Sequence, residues 1–521
     1  MFKKNQKIIW IALFVLFTIM LSCWNLITPI GDGPDESANI IRAVAVDHGQ
    51  LIGTRTTLNW FGAKVYTVKV PWFYAMTEYS LECQVIKQKS YCSSSELALS
   101  HCNFRPFFDL TSNKQNCTLK NVNNFSNTAI GFTYIADYPP YYYFVVGLAS
   151  LAVSPGYNAA YLMREISILF SSGILASLFF TIYQLKRRRW TFLGLLIGMT
   201  PMIIYMQGIV NGLGLEGLSG LCFVFYSTLL LMNSNNYSSR ILNRLCFVGL
   251  ILVSIRPTGV VWLVVDLIPV VLLTHKNSIK KLCLDRKVKS VIAIISIATL
   301  LNLAWQLIAG EDSIRNNRTA TSSFINRLFL ALINQFRPID LAETVGWFNN
   351  VYQNVKSPII IVVVWLFCWW VIVLLAFIKG NKKLRKVLLL YILGYYFISL
   401  FLDADLISSF GAHFWQGSFG FGGMSGIPVV AALIIDVKTK KINRLNQILT
   451  TTLPFLLWAF LFTDFIVVFK WDLNKWSPIV PPGLLMVMEA VSLILILVVM
   501  KPAKLRTNII VAEQAELTYT T

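Results

Sequence analysis

Charge is scarce in this chain: Asp, Glu, Lys and Arg together make up 13% of its 521 residues, and histidine occurs only 4 times. Soluble domains carry about twice that share of charge, so a water-soluble globular fold is excluded. Also missing are a phosphate-binding loop, a GxGxxG fingerprint, any histidine or cysteine spacing that suits zinc, and any evident internal repeat. What the chain has in excess is apolar surface: 56% of the residues are hydrophobic and the mean hydropathy is +0.62. Apolar runs of about 17 to 25 residues recur from Ile8 to Met500, each long enough to cross a hydrocarbon core of about 30 Å as a helix. The expected fold class is an all-α polytopic membrane protein, and the same runs exclude a β-barrel.

Lys and Arg outnumber Asp and Glu by 45 to 25. The excess sits in short clusters between apolar runs, where it orients a membrane protein rather than binding nucleic acid, so no nucleic-acid partner is expected. The clusters are Lys3 to Lys7, Lys186 to Arg189, Arg240 with Arg244, Lys276 to Lys289, Lys379 to Lys386, Lys438 to Arg444, and Lys501 to Arg506. The positive-inside rule places them in the cytoplasm, with both termini, so an even number of crossings separates consecutive clusters. The first run, Ile8 to Ile30, is too long for a signal peptide and lacks a small-residue cleavage site, and is read as an uncleaved span. Three runs lie between Lys7 and Lys186, and parity demotes the shortest. Residues 138–154 open with tyrosines and Pro139-Pro140 and are read as an external juxtamembrane segment. Parity also requires two short spans that turn at Arg256-Pro257. The expected spans are near 8–30, 160–183, 190–210, 214–232, 243–257, 258–274, 288–309, 358–378, 386–403, 422–436, 446–469 and 481–500. They form one membrane domain over 1–521.

Two long segments then lie outside, 31–137 and 310–357, and residues 501–521 form a cytoplasmic tail. No cytoplasmic stretch is long enough for a nucleotide-binding domain, so chemistry belongs on the outer face, without ATP or a nucleotide sugar. Cys83, Cys92, Cys102 and Cys117 fall together in the first external loop, an even number where disulfides persist, and two disulfides are expected with the pairing open. An oxidising bacterial periplasm fits, which makes the membrane a bacterial inner membrane.

Directly after the first span comes Gly31-Asp32-Gly33-Pro34-Asp35-Glu36, followed by Arg42 and Gly49. Pro34 suits a first helical position and Gly49 a C-terminal cap, which predicts a juxtamembrane helix over 34–49 with Asp35 and Glu36 in its first turn. There the helix dipole favours ionised carboxylates. By composition this is equally an acidic helix start with an arginine reaching toward lipid headgroups.

Pro34-Asp35-Glu36 with Arg42 and Gly49 resembles the motif that follows the first span in GT-C glycosyltransferases of the aminoarabinose-transferase type. Asp137-Tyr138-Pro139-Pro140-Tyr141 is similar to their acidic-x-Pro juxtamembrane helix, and Tyr161-Leu162-Met163-Arg164 to the entry of their next span. Thr200-Pro201-Met202 through Asn211 to Glu216 is similar to their third outer turn, although this chain has Asn211-Gly212 in place of Asn-Pro-acid and Tyr138 where a lysine is common. The likeness is continuous over about residues 1–260 and topological beyond. It implies a GT-C-type fold of about twelve transmembrane helices that moves a sugar from a polyprenyl (undecaprenyl) phosphate to a hydroxyl at the outer face. Serotype-converting O-antigen glucosyltransferases are the pattern, with a hexose such as glucose as cargo and a lipid-linked glycan such as O antigen as acceptor.

Under that reading Asp35 is the first choice for the base that takes the acceptor's proton and Glu36 the second. Arg42, Arg164 and Arg256 are the candidates to hold the donor phosphate as its charge grows. Arg256 can equally snorkel to lipid phosphates. Asp137 and Glu216 are secondary carboxylates, and Glu216 is read as a helix cap, a second catalytic acid or a metal ligand. Relatives differ in using a divalent cation, Mg or Mn, so the metal stays open. His413, Trp415 and Gln416 lie in an aromatic, glycine-rich outer loop suited to sugar contact or to interfacial packing. The basic stretch 322–337 reads as an interfacial helix that anchors on lipid headgroups or holds an acceptor diphosphate. The competing functions are a lipid-linked-glycan transporter or flippase and an O-antigen polymerase or ligase. Oligomeric state is not legible.

Overall fold

The computed structural model describes residues 2–31, 33–60, 63–75, 128–232, 238–273, 284–309, 323–335, 337–350, 353–410, 417–439, 444–473 and 480–500. The four loop cysteines lie outside the described residues, as do His413, Trp415 and Gln416.

The chain opens with α1 (Phe2–Ile27) and, after a turn, the short α2 (Glu36–Asp47). Strands β1 (Thr54–Trp60), β2 (Ala63–Pro71) and β3 (Thr128–Thr133) form an antiparallel sheet in that order, with Val68 paired to Gly131. Next come α3 (Pro140–Ala152), α4 (Tyr157–Gln184), α5 (Arg189–Gly198), α6 (Pro201–Gln207), α7 (Gly212–Met232), α8 (Ser239–Ile255), α9 (Pro257–Leu273) and α10 (Arg286–Ala309). The amphipathic α11 (Phe324–Asn334), α12 (Pro338–Val345) and a hairpin of β4 (Trp347–Asn350) with β5 (Gln353–Lys356) precede α13 (Ile359–Lys379) and α14 (Lys382–Phe410). A 3-10 turn (Gly417–Gly420), α15 (Phe421–Met424), α16 (Ile427–Lys438), α17 (Arg444–Leu473) and α18 (Pro482–Met500) complete the chain.

Among the described residues, 9 helices are long and apolar enough to cross a membrane, or 10 if α5 and α6, bent by 68° at Thr200-Pro201, count as one span. Thr200 caps α6 by accepting from the Ile203 amide, and Pro201 starts it, so the bend has a local cause. The helices α8 and α9 have 17 residues each and fall short of that length, which accounts for the difference from twelve expected spans. They meet at Arg256, whose extended backbone and following Pro257 break the helical ladder where the sequence places a turn.

Sequence chemistry sorts the helices. Every residue of α7 from Gly212 to Leu231 is buried, so this helix is the hub of the bundle. The opposite case is α10, with Leu300, Leu307 and Ile308 among many exposed aliphatics, the pattern of a lipid-facing helix. The hub is packed through small residues. A Cβ on Gly220 would overlap the Gly422 carbonyl, and one on Gly217 would come within 2.8 Å of Phe421, so α7 and α15 touch backbone to backbone.

At one end of the bundle α2 is sandwiched between α3 and β3 and is buried on all sides from Glu36 to Val46. Gly147 of α3 sits against the Ala43 carbonyl, and a Cβ on Gly131 would press on Val70 and, at 3.2 Å, on Ile41. At the other end lie the basic clusters that fall among the described residues, such as Lys186 to Arg189 between α4 and α5. There the Asp436 carboxylate accepts from the Trp190 and Thr191 amides and the Thr191 hydroxyl, tying α16 to the start of α5.

Candidate functional site

The site is built where α1 hands over to α2. The chain turns through Gly31 at φ 81 and reaches Asp35 at φ 55, ψ 10, the one non-glycine residue with positive φ among the described residues. This left-handed posture costs a non-glycine residue about 1–2 kcal/mol and persists only where the surroundings enforce it. Here they do. The Asp35 carbonyl accepts from the Asn39 amide at 3.1 Å and the Asn39 side chain at 2.6 Å, and the Glu36 amide donates to Gly33 at 3.1 Å. The helix therefore begins at Glu36, two residues later than expected. The Asp35 side chain makes no capping bond to its own helix.

Freed from capping, that side chain accepts from the Tyr134 hydroxyl through Oδ1 at 2.6 Å. Asp35 is exposed to solvent, yet enough protein surrounds it for burial to raise its pKa, with the Tyr134 bond and the Arg256 charge pulling it back down. Among the described residues Oδ2 has no protein partner.

Glu36 lives in a different environment. Its carboxylate is fully buried and takes two bonds from Arg164, both at 2.6 Å, one from the Gly31 amide at 3.0 Å and one from the Val210 amide at 3.1 Å. The remaining reach of Arg164 goes to the carbonyls of Asn25, Thr28 and Pro29 at 2.9, 2.6 and 2.7 Å. This pair staples the end of α1, the start of α2, the flank of α4 and the α6–α7 turn. Neither partner has exposed surface or a spare hydrogen-bonding position, so the geometry gives both a scaffolding role, unlike the second base and phosphate ligand expected from sequence.

Arg42 is only partly occupied, its buried Nε having no hydrogen-bond partner among the described residues. It is buried, donates to the carbonyls of Leu51 at 2.6 Å and Tyr138 at 2.9 Å, and lies 5.9 Å from the rings of Tyr143 and Trp305. Burial lowers its pKa to about 10. It clamps the segment carrying Tyr138. Asp137 is also buried, and its carbonyl accepts from the Trp305 indole at 2.8 Å.

Arg256 is the arginine that reaches the Asp35 side of the site. At the break between α8 and α9 its guanidinium donates to Glu216 at 2.8 Å and to the Tyr138 hydroxyl at 3.2 Å, with the Tyr138 ring 5.4 Å away. Thr258 donates to the second Glu216 oxygen at 2.5 Å. Glu216, buried in the first two turns of α7, is thus a holder for Arg256. The Arg256 side chain as a whole retains 12% exposure.

The structure therefore brings Asp35, Arg256 and Glu216 together, sets Glu36 and Arg164 behind them, and leaves Arg42 and Asp137 as supports. Tyr134 and Thr258 complete the set and were not singled out in the sequence. Their only signal was that Tyr134 precedes the Asp137 motif and Thr258 follows Arg256-Pro257. Among the described residues no group of three His, Cys, Asp or Glu is placed to hold a metal ion.

The arrangement defines a polytopic α-helical membrane protein with a carboxylate and a guanidinium at one end of its bundle. The chain belongs to the predicted membrane protein family DUF2142, whose family model matches residues 16–413. That stretch includes the whole cluster from Asp35 to Thr258. No curated protein and no solved structure matches the chain.

Proposed function

We propose that the chain is a glycosyltransferase that moves a hexose from a polyprenyl phosphate to a hydroxyl of a lipid-linked glycan such as O antigen, at the periplasmic face of a bacterial inner membrane. One observation carries this reading. Asp35 is held in a strained posture, accessible, with one oxygen open, and a guanidinium acts on it electrostatically from across the same cluster. Strain kept at an accessible carboxylate is the pattern of a working group rather than a packing residue.

The chemistry needs little else. The acceptor oxygen attacks the anomeric carbon while its proton passes to Asp35 Oδ2. The bond from that carbon to the phosphate oxygen breaks, and its electron pair leaves with the polyprenyl phosphate. Arg256 offsets the charge that grows on the phosphate, and Glu216 with Thr258 keeps the guanidinium in place. A single displacement inverts the anomeric centre and needs one base, which suits a site with one accessible carboxylate. The donor's own phosphoester supplies the driving force, so ATP is not required. The positive-inside rule supports an outward-facing site: with the basic clusters read as cytoplasmic and α8 and α9 counted as a short pair of spans, this end is read as external.

The test compares the glycan composition of cells that make the wild-type chain with cells that make Asp35→Asn at equal abundance in the membrane. The expected result is loss of the hexose decoration with Asp35→Asn, by about 100-fold or more in transfer rate. Undiminished decoration removes the proposed base.

A transporter of lipid-linked glycans is the second reading, favoured by Asp266 of α9. This carboxylate is buried within the apolar bundle and neither oxygen has a partner among the described residues. Transport predicts that Asp266→Asn abolishes function while Asp35→Asn does not.

A further inference from the structure

We infer that Tyr134 is a positioning residue that divides the labour between the two oxygens of Asp35, holding Oδ1 by a hydrogen bond so that Oδ2 alone faces the acceptor hydroxyl. The inference rests on the transferase reading above and goes beyond it, since it names the residue that orients the base.

The geometry of Tyr134 is over-determined. It is the first residue after β3, and the strand ends at Thr133, whose backbone pairs with Tyr66. The Thr133 side chain is buried and bonded twice. Its hydroxyl donates to the Ala38 carbonyl of α2 at 3.1 Å and accepts the Ile135 amide at 3.3 Å. Residues on either side of Tyr134 are thus locked onto the helix that Asp35 precedes. A turn closed by the Tyr138 amide on the Ile135 carbonyl at 3.0 Å follows at once. The tyrosine is delivered to Asp35 by a sheet edge and a turn that do not depend on Asp35 itself.

The carboxylate end is fixed as firmly. Asp35 lacks any bond to the start of its own helix, so without Tyr134 its side chain could rotate and present either oxygen. With the phenol on Oδ1 at 2.6 Å, rotation costs a charge-assisted bond. Tyr138, four residues on, meets Arg256 at 3.2 Å, so one short segment presents a phenol to the proposed base and another to the proposed phosphate ligand. The phenol on Oδ1 also stabilises the ionised carboxylate, which sets the pH below which the base is lost.

The experiment measures transfer against pH between about 5 and 9, for the full-length protein in liposomes with a polyprenyl-phosphate hexose and a lipid-linked acceptor. Tyr134→Phe removes the donor and is expected to move the acid limb of the profile upward by about one pH unit, the size of a hydrogen bond to a charged group. Rate at the alkaline plateau is expected to fall less than with Asp35→Asn. Replacing Tyr134 by 3,5-difluorotyrosine, a stronger donor of nearly the same shape, is expected to move the limb downward, and this variant remains informative if Tyr134→Phe does not accumulate. An acid limb that stays in place for the variants that fold, whatever the change in rate, overturns the inference and leaves Tyr134 as packing. A wild-type protein that transfers no hexose instead overturns the transferase reading, and Asp35→Asn that transfers at the wild-type rate overturns Asp35 as the base, so the failures are distinct.

Discussion

A charge buried in a fully bonded ion pair cannot lose its partner cheaply, because the survivor is left desolvated and unpaired. Breaking such a pair costs about 3–5 kcal/mol. Glu36→Gln and Arg164→Met are therefore expected to lower the amount of folded protein in the membrane and its thermal stability in detergent, whereas Asp35→Asn, at an exposed position, leaves both nearly unchanged. Similar melting curves for all three would remove the scaffolding role. Asp47 supplies a second residue-scale expectation. Burial raises its pKa to about 6, with the neighbouring His48 acting the other way, and both carboxylate oxygens are buried without a partner among the described residues. An acid raised in the folded state penalises folding once it must ionise. The penalty is absent below about pH 4, grows between about 4 and 6, and is complete above. Asp47→Asn is thus expected to raise the melting temperature at pH 8 and to leave it unchanged at pH 4. Sequence reasoning ranked Asp35 above Glu36 without a physical means of separating two adjacent carboxylates. The difference lies in a backbone dihedral and in partners from residues 164 and 210, which no local pattern reveals.

Elements were more legible than residues. Helices long enough to span follow from apolar runs, and the turn at Arg256 and the bend at Pro201 both fall on prolines visible in the sequence. The strands were not foreseen, because β1 to β3 lie in a segment of mixed composition without strong alternation, and β2 and β3 pack on α2. The helix α2 was read as juxtamembrane, while its burial on every side, sheet included, follows from small residues such as Gly147 and Gly131 on its neighbours. Backbone contact between α7 and α15 is the most demanding of these packings. Gly220→Leu is expected to force them apart at a cost of about 1–3 kcal/mol or more, read as loss of folded protein. Gly483, with nothing near its missing Cβ, is the control and should tolerate Ala.

At the scale of the molecule, the ionisable cluster with Asp35, Arg164 and Arg256 lies at one end of an apolar bundle, and the described basic clusters between helices, such as Lys186 to Arg189, lie at the other. That separation was readable from composition and charge alone, since neither depends on tertiary contacts. The function of the cluster depends on Asp35 acting on a lipid-borne sugar. The most direct test is purified protein in liposomes supplied with a polyprenyl-phosphate hexose and a lipid-linked glycan, followed for release of polyprenyl phosphate and for the configuration of the new glycosidic bond. The account predicts release with inversion by the wild-type chain and loss of release with Asp35→Asn. Release that persists at the wild-type rate in Asp35→Asn, or a product that retains the donor's configuration, would contradict it.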